Sequence, residues 1–193
     1  MKIDLSYHLD ADTIKKLAAK ISDRDKALSS AGHFGTHFDV MGKQFSLDYT
    51  ESRGVIFDVR GAGTGEIGLN LVDLSLVQEG DFVLLYTAVS EKYAYQSDEY
   101  NTLFPQLSWE LIEALTDKHI HVIGIDMRGV RQGAEHGKAD NFCAERGVFI
   151  VENLVNLGQL LRYQGQNFIV HLYPLPLEGF SGLPSRVVAE IAG

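Results

Sequence analysis

Two histidines and an aspartate lie within seven residues, at positions suited to binding one divalent metal ion. They are His33, His37 and Asp39. Zinc accepts imidazole nitrogen and carboxylate oxygen, and a catalytic site keeps one position open. On an extended segment His37 and Asp39 face one side, whereas Phe34 and Phe38 face the other and enter a core. His33 shares the ligand face if the segment stays extended. The competing interpretation is that these are surface histidines in a loop.

A second cluster of metal-binding residue types occurs later in the chain, at His136, Asp140 and Glu152. His136 and Asp140 are one helical turn apart, and Glu152 follows a short apolar run that predicts a strand. Active sites of α/β folds often collect at strand ends. The alternatives are that Glu152 is an ordinary cap or salt-bridge partner and that Asp140 is a helix-start residue.

The elements that must position these clusters are about seven strands and three helices. Helices are predicted from the apolar face of Ile14, Leu17, Ala18 and Ile21, from the N-cap candidate Ser108, and over 139–146 before Gly147. The 32–42 segment, with its three glycines, is predicted to be loop or irregular strand. Strands are predicted at 3–5, 55–59, 82–88, 120–125, 148–151, 168–173 and 186–191. Because strands and helices do not alternate strictly, the pattern favours a mixed α/β arrangement with few helices.

Composition predicts one soluble domain spanning residues 1–193. The net charge of −9 argues against nucleic acid and anionic membrane surfaces as partners, since both reward Lys and Arg. No stretch approaches the ~18 apolar residues of a membrane span, and the N-terminus does not read as a secretory signal. Cys143 is the single cysteine, which excludes an internal disulfide and favours a reducing, cytoplasmic setting.

The chain resembles the metal-dependent cyclase family that includes kynurenine formamidase and isatin hydrolase. That family carries His-x-Gly-Thr-His-x-Asp-x-Pro-x-His, and residues 33–39 match its first seven positions. Weaker matches follow in the family's order at Asp4-Leu5-Ser6, Gly124-Ile125-Asp126 and Glu152-Asn153-Leu154. The resemblance implies a swivelling β/β/α fold, one or two Zn or Mn ions per chain, and a homodimer or homotetramer. The aromatic loop at 91–101 could form a subunit contact or a pocket lid.

The resemblance also implies roles for single residues. His33, His37 and Asp39 would be metal ligands, and Glu152 would bind a second metal with Asp39 bridging. The family often places a histidine twelve residues before that glutamate, where this chain has Asp140. His136, one helical turn earlier, could reach the same place, so both remain candidate ligands. An aspartate there would favour a harder ion such as Mn²⁺ over Zn²⁺.

The chain departs from the family motif at its end, where Met41 and Lys43 replace the proline and the final histidine. That histidine is the expected acid/base for amide opening. Lysine acts as a base only where burial or a neighbouring cation lowers its pKa, so Lys43 is either a catalytic base or the partner of an anion. The resemblance therefore implies hydrolysis of a small cyclic amide, lactam or N-formyl amide by metal-activated water. The alternatives are a metal-dependent cyclase, dehydratase or isomerase, and a non-catalytic metal-binding relative.

Overall fold

The computed structural model describes residues 1–10, 12, 13, 16 and 32–191. The helix predicted from Ile14, Leu17, Ala18 and Ile21 lies outside the described residues. The assignment of residues 1–193 to one domain stays a prediction. In the described part of the chain, no helix is long and apolar enough to cross a membrane.

The strands within the described residues are β1 Lys2–Asp4, β2 His37–Asp39, β3 Glu51–Asp58, β4 Glu66–Ile67, β5 Phe82–Tyr86, β6 Gln106–Leu107, β7 Val122–Ile125, β8 Phe149–Glu152, β9 Phe168–Pro174 and β10 Gly182–Ile191. Seven of these strands close into a barrel. The hydrogen-bonded order is β10-β2-β8-β7-β5-β3-β9, and β9 pairs again with β10. A further strand, β1, pairs with residues 188–190 of β10, on the same edge that β2 occupies at residues 182–184.

Buried apolar side chains pack against both faces of the barrel wall. Strands β3, β5, β7 and β8 run parallel, and parallel strands buried on both sides read as continuous apolar runs. Along β5, Phe82 and Leu84 pack inside the barrel, whereas Val83 and Leu85 pack outside it against the helices. This alternation means that neighbouring residues on one strand face different environments.

The helices bear out part of the sequence prediction. From residue 32 onward they are α1 Val89–Lys92, α2 Asp98–Thr102, α3 Trp109–Asp117 and α4 His136–Glu145. Ser108 caps α3 as predicted, because its side chain accepts a hydrogen bond from the Leu111 amide. Helix α4 begins three residues earlier than predicted and ends before Gly147, whose φ of +74° stops it.

The predicted strands are confirmed, since each of the seven overlaps a strand of the barrel or β1. The 32–42 segment is irregular except at β2, because Gly35 adopts a φ of +58° and ends the extended path before residue 37. The short pair β4 and β6 was not predicted, since two-residue strands carry no periodic signal. The mixed α/β prediction with few helices is confirmed.

Candidate metal centre

Strands β2 and β8 carry the core of the site on the outer face of the barrel. Their antiparallel register pairs His37 with Glu152 and Asp39 with Ile150. Phe38 lies fully buried inside the barrel, so His37 and Asp39 on either side of it face outward, beside Glu152. The predicted alternation of ligand and aromatic residues is present in β2.

His33, His37 and Asp39 converge as a first group. His33 Nδ1 lies 3.0 Å from His37 Nε2 and 3.2 Å from Asp39 Oδ1. His37 Nε2 lies 3.5 Å from the same Asp39 oxygen. The segment does not stay extended back to His33, because Gly35 adopts a left-handed conformation, yet the His33 ring still reaches Asp39.

His136, Asp140 and Glu152 form a second group beside the first. His136 Nε2 lies 3.5 Å from Asp140 Oδ2 and 3.7 Å from Glu152 Oε1. The other Glu152 oxygen lies 3.4 Å from His37 Nε2, so this carboxyl stands between the two groups. The structure brings both His136 and Asp140 to the cluster. Asp140 is not a helix-start residue, since it lies inside α4 on its buried side.

Each group could hold a metal ion, since its potential ligand atoms lie within 4.8 Å of one another. Both Asp39 oxygens, Asp140 Oδ1 and Glu152 Oε1 are buried and have no hydrogen-bond partner in the described structure. A buried polar atom without a partner costs about 1–3 kcal/mol or more when charged. A cation at this place would supply the missing partner, so the residues present fit a divalent metal.

The second nitrogen of each imidazole is held by the protein, which leaves the other nitrogen facing the carboxylates. Such outer contacts set the tautomer and the orientation of metal-ligating histidines. The nitrogens left for a cation are Nδ1 of His33 and Nε2 of His37 and His136. The outer contacts are His37 Nδ1 with Gly35 O at 3.0 Å, His136 Nδ1 with Arg131 O at 3.2 Å, and His33 Nε2 with Ser181 Oγ at 3.0 Å.

The electrostatics of the metal-free site are those of crowded, buried carboxyls. Burial by itself lowers the pKa of His37, but the charges of Asp39 and Glu152 outweigh it and raise that pKa to about 9. Burial raises the pKa of Asp39, yet the nearby His37 and His33 hold it well below its usual range. Burial and the charge of Asp39 raise the pKa of Asp140 to about 8 and that of Glu152 well above its ordinary value. Without a bound cation, His37 and Asp140 therefore hold protons at neutral pH.

Metal affinity is expected to rise with pH. At pH 7 His37 and Asp140 hold protons, because their pKa values are raised to about 9 and about 8. A cation must displace these protons, and the competition weakens between about pH 7 and pH 10 as they leave on their own. Calorimetric titration in buffers of different ionisation enthalpy should show release of at least about one proton per ion at pH 7. Binding that is independent of pH would contradict this account.

Asn153 supports the first group, and apart from its place in a family motif no sequence feature points to this role. With a φ of +57°, it turns its amide back so that Nδ2 donates to Gly35 O at 2.9 Å. Its Oδ1 accepts from the Tyr100 hydroxyl at 2.6 Å, and its carbonyl accepts from Thr36 Oγ1 at 2.7 Å. The hydroxyl of Tyr95, which precedes α2, accepts from the Gly35 amide at 2.9 Å. Tyr95 and Tyr100, which lies in α2, therefore brace the His-rich segment.

Lys43 lies apart from the buried cluster. Its side chain is exposed, and among the described residues no carboxylate oxygen lies within 4 Å of its ammonium. It lines a groove of about 910 Å³ that also reaches Ser181, the partner of His33. The groove wall is largely apolar and includes Phe45, Leu47, Tyr173, Leu175 and Leu177. The base role of Lys43 stays a prediction.

Comparison with known proteins places the chain among cyclase structures. The Cyclase family model matches residues 3–131. A potential metal-dependent hydrolase with cyclase activity shares 22% identity and a TM-score of 0.74, covering 100% of this chain and 99% of that one. Isatin hydrolase A from Labrenzia aggregata, bound to benzyl benzoate, shares 18% identity and a TM-score of 0.75, with coverages of 100% and 94%.

An isatin hydrolase bound to the product analogue thioisatinate shares 20% identity and a TM-score of 0.68, covering 82% of this chain and 72% of that one. A search of curated proteins finds no match. At these identities the solved structures show the fold, and the predicted swivelling β/β/α cyclase-like fold is confirmed.

Proposed function

This chain belongs to the cyclase family, and we propose that it is a metal-dependent hydrolase that opens a small cyclic amide, a lactam or an N-formyl amide. The observation that carries the proposal is the meeting of two ligand groups at Glu152, with four buried carboxylate oxygens left without a hydrogen-bond partner. The descriptions of similar structures as a metal-dependent hydrolase and as isatin hydrolases support this reaction class.

The proposed ligand roles follow from position. His33, His37 and Asp39 would hold one ion, and Glu152 would join them to a second ion held with His136 or Asp140. A divalent cation bound there would act as a Lewis acid toward the amide carbonyl and would lower the pKa of bound water toward about 7.

The site is closed on one side and open on the other. His37, Asp39 and Glu152 are almost fully buried, whereas the side chains of His33 and His136 are 32% and 33% exposed. Substrate would therefore approach past these two rings, and the buried carboxyls would stay shielded from bulk water. The Ser181 contact to His33 joins this opening to the apolar groove, which suits the body of an uncharged cyclic amide.

Amide opening adds water across the C–N bond and leaves a carboxylate and an amine. We propose that the Lys43 ammonium, which faces the groove without a carboxylate of its own, pairs with the new carboxylate. Replacing Lys43 by Ala should then raise the inhibition constant of the carboxylate product about tenfold, which corresponds to roughly 1.4 kcal/mol, with the KM of the uncharged substrate nearly unchanged. Lys43→Arg should keep that inhibition constant near the wild-type value. Loss of kcat in Lys43→Ala with recovery in Lys43→His would instead show that Lys43 is the base.

The proposal is tested by metal analysis followed by an amidase assay. Purified protein should contain about one to two Zn or Mn ions per chain, and adding back the ion to stripped protein should raise Tm. The loaded protein should then hydrolyse isatin or an N-formyl aniline. Absence of metal, with no Tm response to either ion, would sink the proposal. Tight metal binding without hydrolysis of any amide would favour the cyclase, dehydratase or isomerase alternative, or a non-catalytic relative.

Assembly and setting belong to the same proposal. We propose a homodimer or homotetramer acting on a small molecule in the cytoplasm, with neither nucleic acid nor membrane as a partner. Light scattering of the metal-loaded protein tests the assembly, and a monomer at micromolar concentration would contradict it.

A further inference from the structure

Each metal-binding group contains one half-exposed histidine whose ring lies directly against a glycine. A Cβ atom added to Gly182 would stand 2.7 Å from Cε1 and 2.8 Å from both ring nitrogens of His33. A Cβ atom added to Gly129 would stand 2.4 Å from Nδ1 and 2.5 Å from Cε1 of His136. Contacts below 3.0 Å are essentially never made by real Cβ atoms, so either ring would have to move.

We propose that Gly182 and Gly129 are positioning residues for the metal centre, one for each group. A glycine has no side chain, so each of the two acts only by leaving room for one imidazole ring. This inference rests on the proposed metal site, and it concerns how that site is built.

The β10–β2 register shows why Gly182 matters. It is paired with Asp39, and residues directly opposite on antiparallel strands project to the same face of the sheet. A side chain at 182 would therefore point to the face that carries Asp39, into the space that the ring of His33 fills.

The backbone at Gly182 cannot move away to relieve such a clash. It is hydrogen-bonded into the ladder with β2, and its carbonyl lies against Gly32, where an added Cβ atom would stand only 1.7 Å from that oxygen. The His33 ring would have to yield instead. Its Nδ1 would then leave the 3.0 Å and 3.2 Å contacts to His37 and Asp39.

Gly129 lies in the loop that follows β7, and it leaves room there for the ring of His136 in the second group. His136 Nδ1 contacts the Arg131 carbonyl oxygen at 3.2 Å, and a Cβ atom added to Gly129 would also stand 3.1 Å from that oxygen. Displacing the ring would carry Nε2 away from Asp140 and Glu152. Gly129 has a φ of +91°, so its backbone favours glycine for a second reason, whereas Gly182 has no such strain. Gly182 therefore offers the cleaner test.

The first experiment measures metal affinity by competition with a chromophoric chelator. Gly182→Ala should weaken Zn²⁺ binding about tenfold or more, the range for losing a group that orients a ligand. Gly137→Ala is the matched control: it lies beside His136 and its added Cβ meets nothing within 4 Å, so affinity should not change. Gly54→Ala, which clashes with Phe168 inside the barrel at 2.1 Å, should lower Tm without weakening metal binding by the folded protein.

A double-mutant cycle separates positioning from general damage. If Gly182 acts through His33, then Gly182→Ala should cost no further Zn²⁺ affinity in a His33→Ala background. An equal loss in both backgrounds would overturn the proposal, because the glycine would then act on the fold.

The seating of the rings is also measurable without metal. In the NMR spectrum of the metal-free protein, Gly182→Ala should shift the imidazole resonances of His33, and Gly129→Ala those of His136. The resonances of His171, which contacts Glu190 at 2.9 Å, should stay in place in both variants. Unchanged His33 and His136 resonances would refute the proposal. A wild-type protein that binds no metal would end the proposed function, yet this measurement would still decide whether the glycines seat the rings.

Discussion

Asp39→Asn is expected to weaken divalent metal binding at least ~100-fold and to abolish amide hydrolysis. Loss of a residue that only orients a metal ligand weakens binding by up to about 100-fold, and loss of a ligand should weaken it at least as much. Asp39 is the carboxylate with both oxygens buried and without a hydrogen-bond partner, and both histidines of its group face it. An amide at this place keeps the shape but removes the negative charge and one acceptor. Competition titration with Zn²⁺ and Mn²⁺, followed by the amidase assay, measures the effect.

The control for this variant is Asp117→Asn, which makes the same chemical change at an exposed position at the end of α3. It should retain wild-type affinity and turnover. Wild-type metal affinity in Asp39→Asn would show that the first group is not the metal site, whatever the protein's activity.

Gly124→Ala is expected to destabilise the fold by about 2–3 kcal/mol through overpacking of the barrel interior. An added Cβ atom would stand 2.4 Å from the Phe82 ring and 2.8 Å from side-chain atoms of both Leu84 and Leu154. These side chains are fully buried and closely packed, so no neighbour can give way cheaply. For a chain of this size the loss corresponds to a Tm lower by about 5–10 °C.

Thermal unfolding of the metal-free protein measures this loss without interference from bound ions. Gly61→Ala serves as the comparison, because its added Cβ would meet Leu71 at 3.4 Å, an ordinary contact distance. It should unfold within about 1 °C of the wild type, as surface changes usually do. Equal Tm values for Gly124→Ala and wild type would contradict the prediction, because they would mean that the side chains around β7 are packed less tightly than the distances above indicate.

The two predictions separate two uses of the same barrel wall. Residues that face inward, such as Phe82 and Leu84, pack a dry core, whereas His37, Asp39 and Glu152 face outward under α4. A change on the inner face should lower stability, and a change on the outer face should lower metal affinity. The division follows from the alternation of side chains along each strand.

Much of the first group was predictable because its information is local. A spacing of two on an extended segment places His37 and Asp39 on one face, and the aromatic residue between them must enter the core. The apolar, β-branched runs predicted the long strands, and Ser108 predicted the start of α3, because caps and periodicity depend on neighbours within a few residues. The sequence also predicts that His33 meets this pair, but it does not predict the course of the backbone from His33 to His37. That course depends on a left-handed turn at Gly35.

Local sequence information is enough to predict which residue types could bind a metal, which segments are strands, and that the fold is mixed α/β. The folded structure is needed to show that Glu152 stands opposite His37, that His136 and Asp140 both reach it, and that Lys43 lies on a groove outside the buried cluster. The contacts of Gly182 and Gly129 with two histidine rings are likewise visible only in the folded chain. These contacts join segments far apart in the chain through the register of β2 with β8 and β10 and through barrel closure, and no local periodicity encodes which strands pair or in which register.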